Sequence, residues 1–293
     1  MSDSQQGIID PVPETARHLL FAAAPNLDAA RALRALRELA DGASTVVGIG
    51  LSLVEALGRE LPGLRVAPSH AGPGVEIPST PAALWCWLRG GERGELVHRA
   101  RSIEDALAPD LLPMLAIEAF RYREVRDLTG YEDGTENPKG DRALEVAFVR
   151  GRGRGQDGAS FVALQQWQHD FARFDAMTGD EQDRAIGRRR RDNKELEDAP
   201  PSAHVRRTAQ ESFSPEAFVL RRSMPWSDGP RAGLVFVAFG KSFDAFEAQL
   251  ARMAGLEDGV TDALFRFTRP VNGAYFWCPP MKDGRIDLTA LEL

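Results

Sequence analysis

Two cysteines in 293 residues, Cys86 and Cys278, are too few for a disulfide scaffold. Neither has the CxxC partner that a zinc finger or an iron–sulfur cluster would need. Each lies in an aromatic apolar run, LWCWL and YFWCPP, and reads as core packing. The five histidines, His18, His70, His98, His169 and His204, include no two at a spacing of four, and neither an HExxH motif nor a facial triad occurs. A zinc or iron site built wholly from protein side chains therefore has little support. No apolar run approaches the roughly 18–20 residues that span a bilayer. The opening MSDSQQGIIDPVPE has neither the basic start nor the apolar stretch of a secretory leader, so a cytoplasmic protein with no membrane partner is expected. An excess of positive charge is also missing: 36 basic against 43 acidic residues give a net charge of −7, with no electrostatic reason to bind nucleic acid.

What is present suits a large globular chain. At 32.1 kDa a folded monomer buries about 74% of the surface of its unfolded form, which is enough for a core without covalent staples. Apolar periodicity gives the element order. Arg17 to Ala24 reads as a strand, and Asn26 is placed to cap a helix carrying Leu27, Ala30, Leu33, Leu36 and Ala40, stopped by Asp41-Gly42. Thr45 to Ile49 reads as a strand, Leu84 to Leu88 as a buried strand, Glu92 to Leu107 as a helix, and Leu115 to Tyr122 as a fourth strand. This order, β-α-β-β-α-β, is the ferredoxin-like unit. It returns later as Ser160 to Trp167, a short helix to Met177, a long polar excursion from Thr178 to Glu216, strands at Ala217 to Arg222 and Gly233 to Phe239, a helix after Ser242, and an extended stretch from Ala263 to Trp277. The expected fold is α+β: two ferredoxin-like units with antiparallel sheets, residues 1–145 and 146–293.

Chemistry is carried by few segments. Gly48-Ile49-Gly50 invites a dinucleotide reading, but Leu53 stands where the third glycine would fall, so a strand-to-helix turn is the better account. Arg188 to Arg191 is either a solvated charge run or a local site for carboxylates or phosphates, which arginine pairs bidentately. A cofactor bringing its own ligands would need one histidine, and His204, in the polar loop PSAHVRR, is the best candidate. The densest loop is GYEDGTENP, residues 130–138. It is either a turn, with Asp-Gly supplying positive φ and Asn-Pro an extended exit, or a backbone cradle that lets Asp133 point at a flat ligand.

GYEDGTENP resembles the signature of the dye-decolourising peroxidases, a heme enzyme family. Three further segments agree in order: SAHVRRT resembles the family's proximal-histidine loop, LRRSMPW its distal-arginine strand, and GLVFVAFGKS with FTRPVNGAYFWCPP its C-terminal half. The likeness is strongest to the compact bacterial class B subgroup. It implies a dimeric α+β barrel type fold with heme b in the C-terminal unit, hydrogen peroxide and small-molecule reductants as substrates, and a homo-oligomer.

By the same resemblance His204 is the iron ligand, and Asp262 in GVTDALFRF is the acceptor for its other ring nitrogen; Asp262 also reads as a helix-cap acid. Arg206, Arg207 and Arg188 to Arg191 are available for the propionates, Arg206 being the choice within the motif. Asp133 would shuttle the peroxide proton and Arg221 would stabilise the departing oxygen. Strand alternation sends Arg221 and Arg222 to opposite faces; the motif selects Arg221, with Ser223 sharing its face and hydrogen-bonding distal water. Trp167, Trp226, Trp277, Tyr131 and Tyr275 are either surface electron relays or core packing. Two other readings fit parts of the pattern: a heme-handling protein, and an enzyme like chlorite dismutase or coproheme decarboxylase. Neither needs Asp133 and Arg221 together.

Overall fold

The structure, a computed structural model, describes residues 3–72 and 74–293. Its N-terminal half holds β1 (Thr15–Ala23), α1 (Ala29–Leu39), β2 (Thr45–Ile49), α2 (Leu51–Ala56), the small pair β3 (His70–Gly72) and β4 (Val75–Ile77), β5 (Leu84–Gly90), α3 (Arg93–Leu107), β6 (Leu111–Phe120) and α4 (Asp141–Ala147). There follow β7 (Ser160–His169), α5 (Phe171–Asp175), α6 (Gly179–Ile186), α7 (His204–Arg207), β8 (Leu220–Arg221), β9 (Met224–Asp228), β10 (Arg231–Gly240), α8 (Asp244–Met253), β11 (Thr268–Pro270) and β12 (Ala274–Cys278). No helix among the described residues is long and apolar enough to cross a membrane.

The expected elements recur with shifted ends. Asp28 caps α1, its carboxylate accepting from the Arg31 N–H, where Asn26 was expected; Asn26 lies in a turn and Asp28 is still extended, so Asn26 comes too early to cap. The polar excursion contains α6 and α7, whose short lengths leave no periodicity to read. The expected strand at Ala217 to Arg222 pairs only over Leu220–Arg221 before the chain turns into β9.

Every ladder is antiparallel, and the main sheet closes on itself. Strands run β7-β12-β2-β5-β1-β6-β9-β10, and β10 pairs back to β7 over eight residue pairs from Gly233↔Gln168 to Gly240↔Phe161. Two seams are thin: Trp277↔Ile49 joins β12 to β2, and Ala119↔Trp226 joins β6 to β9. A backbone hydrogen bond nets only about 0.5–1.5 kcal/mol, whereas burying one aromatic side chain of about 150–250 Å² yields roughly 4–6 kcal/mol. The interior therefore holds the closure. Trp85, Trp87, Phe239 and Phe276 pack there with centroids 6.1–6.3 Å apart, on residues that alternate inward along their strands. Gln5 reinforces the first seam. Its amide accepts from Val47 N–H and donates to the carbonyls of Val47 and Pro279, bridging β2 to the segment after β12. On the outside α1, α3 and α8 cover the faces bearing Leu19, Val47, Cys86 and Ala238. Both cysteines are buried and their thiols are pushed upward by burial.

His18 lies in the barrel interior, fully buried, with ring centroids 5.9 Å from both Trp85 and Trp87. Its Nδ1 accepts from Trp85 Nε1–H, which fixes a neutral ring, and burial pushes its pKa down to about 3. The unfolded chain binds a proton at His18 below the ordinary 6.5, while the folded chain does not until about 3. Stability at this residue is complete above that upper value and declines as pH falls between the two, by about 1.4 kcal/mol per pH unit. His18→Phe should lower Tm at pH 7, because Trp85 loses its acceptor, yet flatten the decline in Tm between pH 6 and pH 4. Parallel Tm–pH curves for the variant and the parent would contradict this account.

Candidate functional site

Outward-facing residues of β7 and β10 form one wall of a cleft of about 930 Å³. Register makes this wall from cross-strand pairs, Gln165 against Phe236 and Trp167 against Leu234. Phe246, Leu250 and Met253 of α8 face it across the cleft, which also receives His204, Asp133 and Arg221. Three segments singled out in the sequence thus converge on one apolar space.

His204 opens α7, a single turn preceded by the buried Ala203. Its Nδ1 lies 2.7 Å from Asp262 Oδ2. Asp262 is itself 1% exposed, and its other oxygen accepts from Leu264 N–H at 2.8 Å, capping the 3-10 turn Ala263–Arg266. One carboxylate therefore fills both of the roles open to it in the sequence. A carboxylate at Nδ1 holds the proton there and leaves the Nε2 lone pair outward. Among the described residues Nε2 has no hydrogen-bond partner.

A second histidine lines the same cleft, and no motif around it marks it out. His169, at the end of β7, approaches Asp127 Oδ1 through Nε2 at 2.9 Å and Thr268 Oγ1 through Nδ1 at 2.8 Å. With both nitrogens occupied, His169 has none to offer a ligand, and His204 is the cleft histidine that does. Burial alone would raise the Asp127 pKa, but His169 and two hydrogen bonds from Thr129 hold it below the usual carboxylate range. Asp127 and His169 are 42 residues apart, and only the fold joins them.

The loop after Asp127 is held by its own backbone: Asp127 N–H donates to Tyr131 O, and Asp133 N–H to Val125 O. Gly134 sits at φ +76°, and a Cβ there would meet Asn137 Nδ2 at 2.8 Å. That close approach aims Asn137 at a strand 84 residues away. Its amide donates to Arg221 O at 3.0 Å and accepts from Arg221 N–H at 2.8 Å, locking loop and strand together. The Asp133 carboxylate and the Arg221 guanidinium make no hydrogen bond or ion pair among the described residues, and both line the cleft. Arg222 turns the other way, donating to Ile9 O and Arg221 O, with burial pushing its pKa down to about 10.

The remaining candidates scatter. Ser223 is 6% exposed; its Oγ accepts from Val237 N–H at 3.4 Å, and with Asp133 it borders a small cavity beside the main cleft. Arg206 lines neither cleft that receives His204: on the single turn of α7, Ala203 and Arg207 take the buried side, which leaves Arg206 exposed, donating to Glu197 O. Arg207 is committed to Asp258 through two 2.7 Å bonds. The arginine run divides. Arg188 bridges Glu136 and Glu195 in a second cleft, which it shares with His204 and Arg221, while Arg190 lies 5.7 Å over the Tyr131 ring. The five aromatics named as relays are all buried, so none is a surface residue; only Trp167 and Tyr131 reach the main cleft.

A family model described as "Dyp-type peroxidase, C-terminal" matches residues 124–283. The chain is 31% identical over 253 residues to a dye-decolorizing peroxidase of Rhodococcus erythropolis, covering 82% of this chain and 73% of that one. It superposes on a putative Dyp-type peroxidase of Shewanella oneidensis with a TM-score of 0.88 at 28% identity, covering 99% of this chain and 98% of that one. It also superposes on a DypB variant of Rhodococcus jostii RHA1 in complex with heme, at a TM-score of 0.85 and 25% identity, covering 95% and 97%.

The Asn137 clamp has a measurable worth. Asn137→Ala strands a part-buried Arg221 N–H, which should cost about 1–2 kcal/mol and lower Tm by roughly 2–6 °C. Thermal unfolding of the variant at the parental Tm would show that the clamp holds nothing.

Proposed function

Because this chain belongs to the dye-decolourising peroxidase family, we propose that it is a heme peroxidase that reduces hydrogen peroxide with electrons from dye-like and other one-electron donors. The observation that carries this reading is the pairing of an open His204 Nε2, fixed by Asp262, with an unpaired carboxylate and guanidinium in one apolar cleft. The cleft suits heme b: Phe236, packed on Phe246, and Leu264 are half-buried and turn their remaining apolar surface to the cleft, matching a flat hydrophobic ring. His204 Nε2 would hold the iron, with Asp262 fixing the ring's tautomer and orientation through Nδ1. Arg188, beside the second cleft, takes the propionate role in place of Arg206.

Bound heme supplies the iron at which peroxide is activated and through which electrons pass to it. The protein's part is proton handling and charge. Asp133 Oδ accepts the proton of one peroxide oxygen and returns it to the other. The Arg221 guanidinium faces the negative charge that grows on the departing oxygen. Ser223 accepts from the Val237 N–H and, bordering the same small cavity as Asp133, can bond a water shared with it. Each peroxide takes two electrons and two protons from two phenolic donors, giving two waters and two phenoxyl radicals. Chains β6-β1-β5-β2 and β12-β7-β10-β9 have the same antiparallel order, which supports two ferredoxin-like units meeting near residue 145 with heme in the second. Work in the cytoplasm as a homo-oligomer completes the reading.

Two experiments test it. Purified His204→Ala should lose most of its heme, and Asp262→Asn should hold it 10–100-fold more weakly; Soret absorbance and heme content equal to the parent in both would remove the proposed ligand. Asp133→Asn and Arg221→Ala should keep their heme but slow the first peroxide-dependent spectral change, Arg221→Ala by about 10²–10³-fold. Stopped-flow traces matching the parent across pH 4–7 would leave both as ordinary loop and strand residues.

A further inference from the structure

Behind the Thr129–Gly130 backbone lies a separate, solvent-open depression, lined by the exposed Arg123, Arg190 and Arg191 and by Arg126, Tyr122 and Leu128. We propose that it binds a small aromatic anion, a phenol bearing a sulfonate or carboxylate, as the electron donor; this rests on the peroxidase reading for its role but not for its binding.

Four guanidiniums converge here in a chain of net charge −7. The acids nearby do not balance them. Glu132 is held by Arg126 and Asn193, and Asp192 is shared by Arg189 and Arg191. Glu124 is exposed and makes no ion pair among the described residues. Asp183 accepts from the Arg190 N–H and the Tyr131 hydroxyl. The Arg123 and Arg190 guanidiniums have no carboxylate within ion-pair distance among the described residues, and with only a 3.4 Å bond from Arg190 to Thr129 O both keep donors for a ligand. Both are preformed. Arg123 adopts φ +51°, uncommon for a residue with a side chain, and lies 5.1 Å over Tyr122. Arg190 is seated over Tyr131 because Gly130, at φ +89°, leaves room: a Cβ there would meet Arg190 Cδ at 3.1 Å.

The half-buried Tyr122 and Leu128 make the class aromatic rather than inorganic, offering a flat partner beside the cations. Position gives the role. Thr129 lines both this depression and the main cleft, so a single thickness of backbone separates them. A phenol bound here passes one electron across that wall toward peroxide and its phenolic proton to solvent, leaving as the phenoxyl radical.

The test uses the heme-loaded protein and four probes: 4-hydroxybenzenesulfonate, phenol, tyramine and sodium sulfate. Calorimetry should show the sulfonate binding at least about tenfold more weakly to Arg123→Gln/Arg190→Gln, with its KM raised in step and turnover of tyramine unchanged. Arg123→Gln/Arg191→Gln, which leaves the Tyr131 cover in place, should show a smaller loss of the same kind. Equal sulfonate affinity in parent and both variants would overturn the proposal. So would sulfate competing as well as the aromatic sulfonate, or tyramine and sulfonate turnover falling together. If the parent oxidises none of the phenols, the peroxidase reading fails, and the calorimetry still decides the site.

Discussion

The β7–β10 ladder is the constraint on which everything else hangs. It closes the barrel, and its two faces do different work: Val235, Val237 and Phe239 fill the interior while Leu234 and Phe236 face the cleft. Side chains alternate with a period of two, so a slip of one residue would put the aromatic core outside and the cleft wall inside. The long ladder also explains why two thin seams suffice elsewhere. Once β7 and β10 are paired, the remaining strands need only bring their aromatic residues inward.

The site is assembled by long-range contacts of modest individual strength. Asp262 reaches His204 across 58 residues, Asn137 reaches Arg221 across 84, and Asp127 reaches His169 across 42. Each joins a loop to a strand or a short turn, so chemistry-bearing side chains sit on irregular backbone that regular structure holds still. The two His–Asp pairs in one cleft differ in a single respect. The second nitrogen of His169 is spent on Thr268, while that of His204 is open, and that difference leaves one ring nitrogen in the cleft with a free lone pair.

How far the sequence could be read depended on the range of the signal. Strands with β-branched or aromatic alternation, such as Thr45–Ile49, were legible to the residue, because burial on both faces leaves a local pattern. Short turns such as α7 were not, since four residues carry no period. Asp133, His204 and Arg221, the last preferred to Arg222, were singled out through motif resemblance, while their convergence on one cleft needed coordinates. Arg206 shows the reverse case: it stands in the right motif, but a single helical turn has one buried side, and Arg207 took it. The run Arg188 to Arg191 looked uniform in sequence and is not, because successive residues on irregular backbone face different cavities.

Gln5 illustrates how little backbone a closed barrel needs at its weakest join. One primary amide imitates a peptide unit, offering a donor and an acceptor where the neighbouring strand has run out. The segment preceding β1 is thus a stitch in the wall rather than a trailing end. Loss of residues around Gln5 would open the wall at the β12–β2 join, one strand away from the β7–β10 ladder, and let water reach the tryptophan-lined interior there.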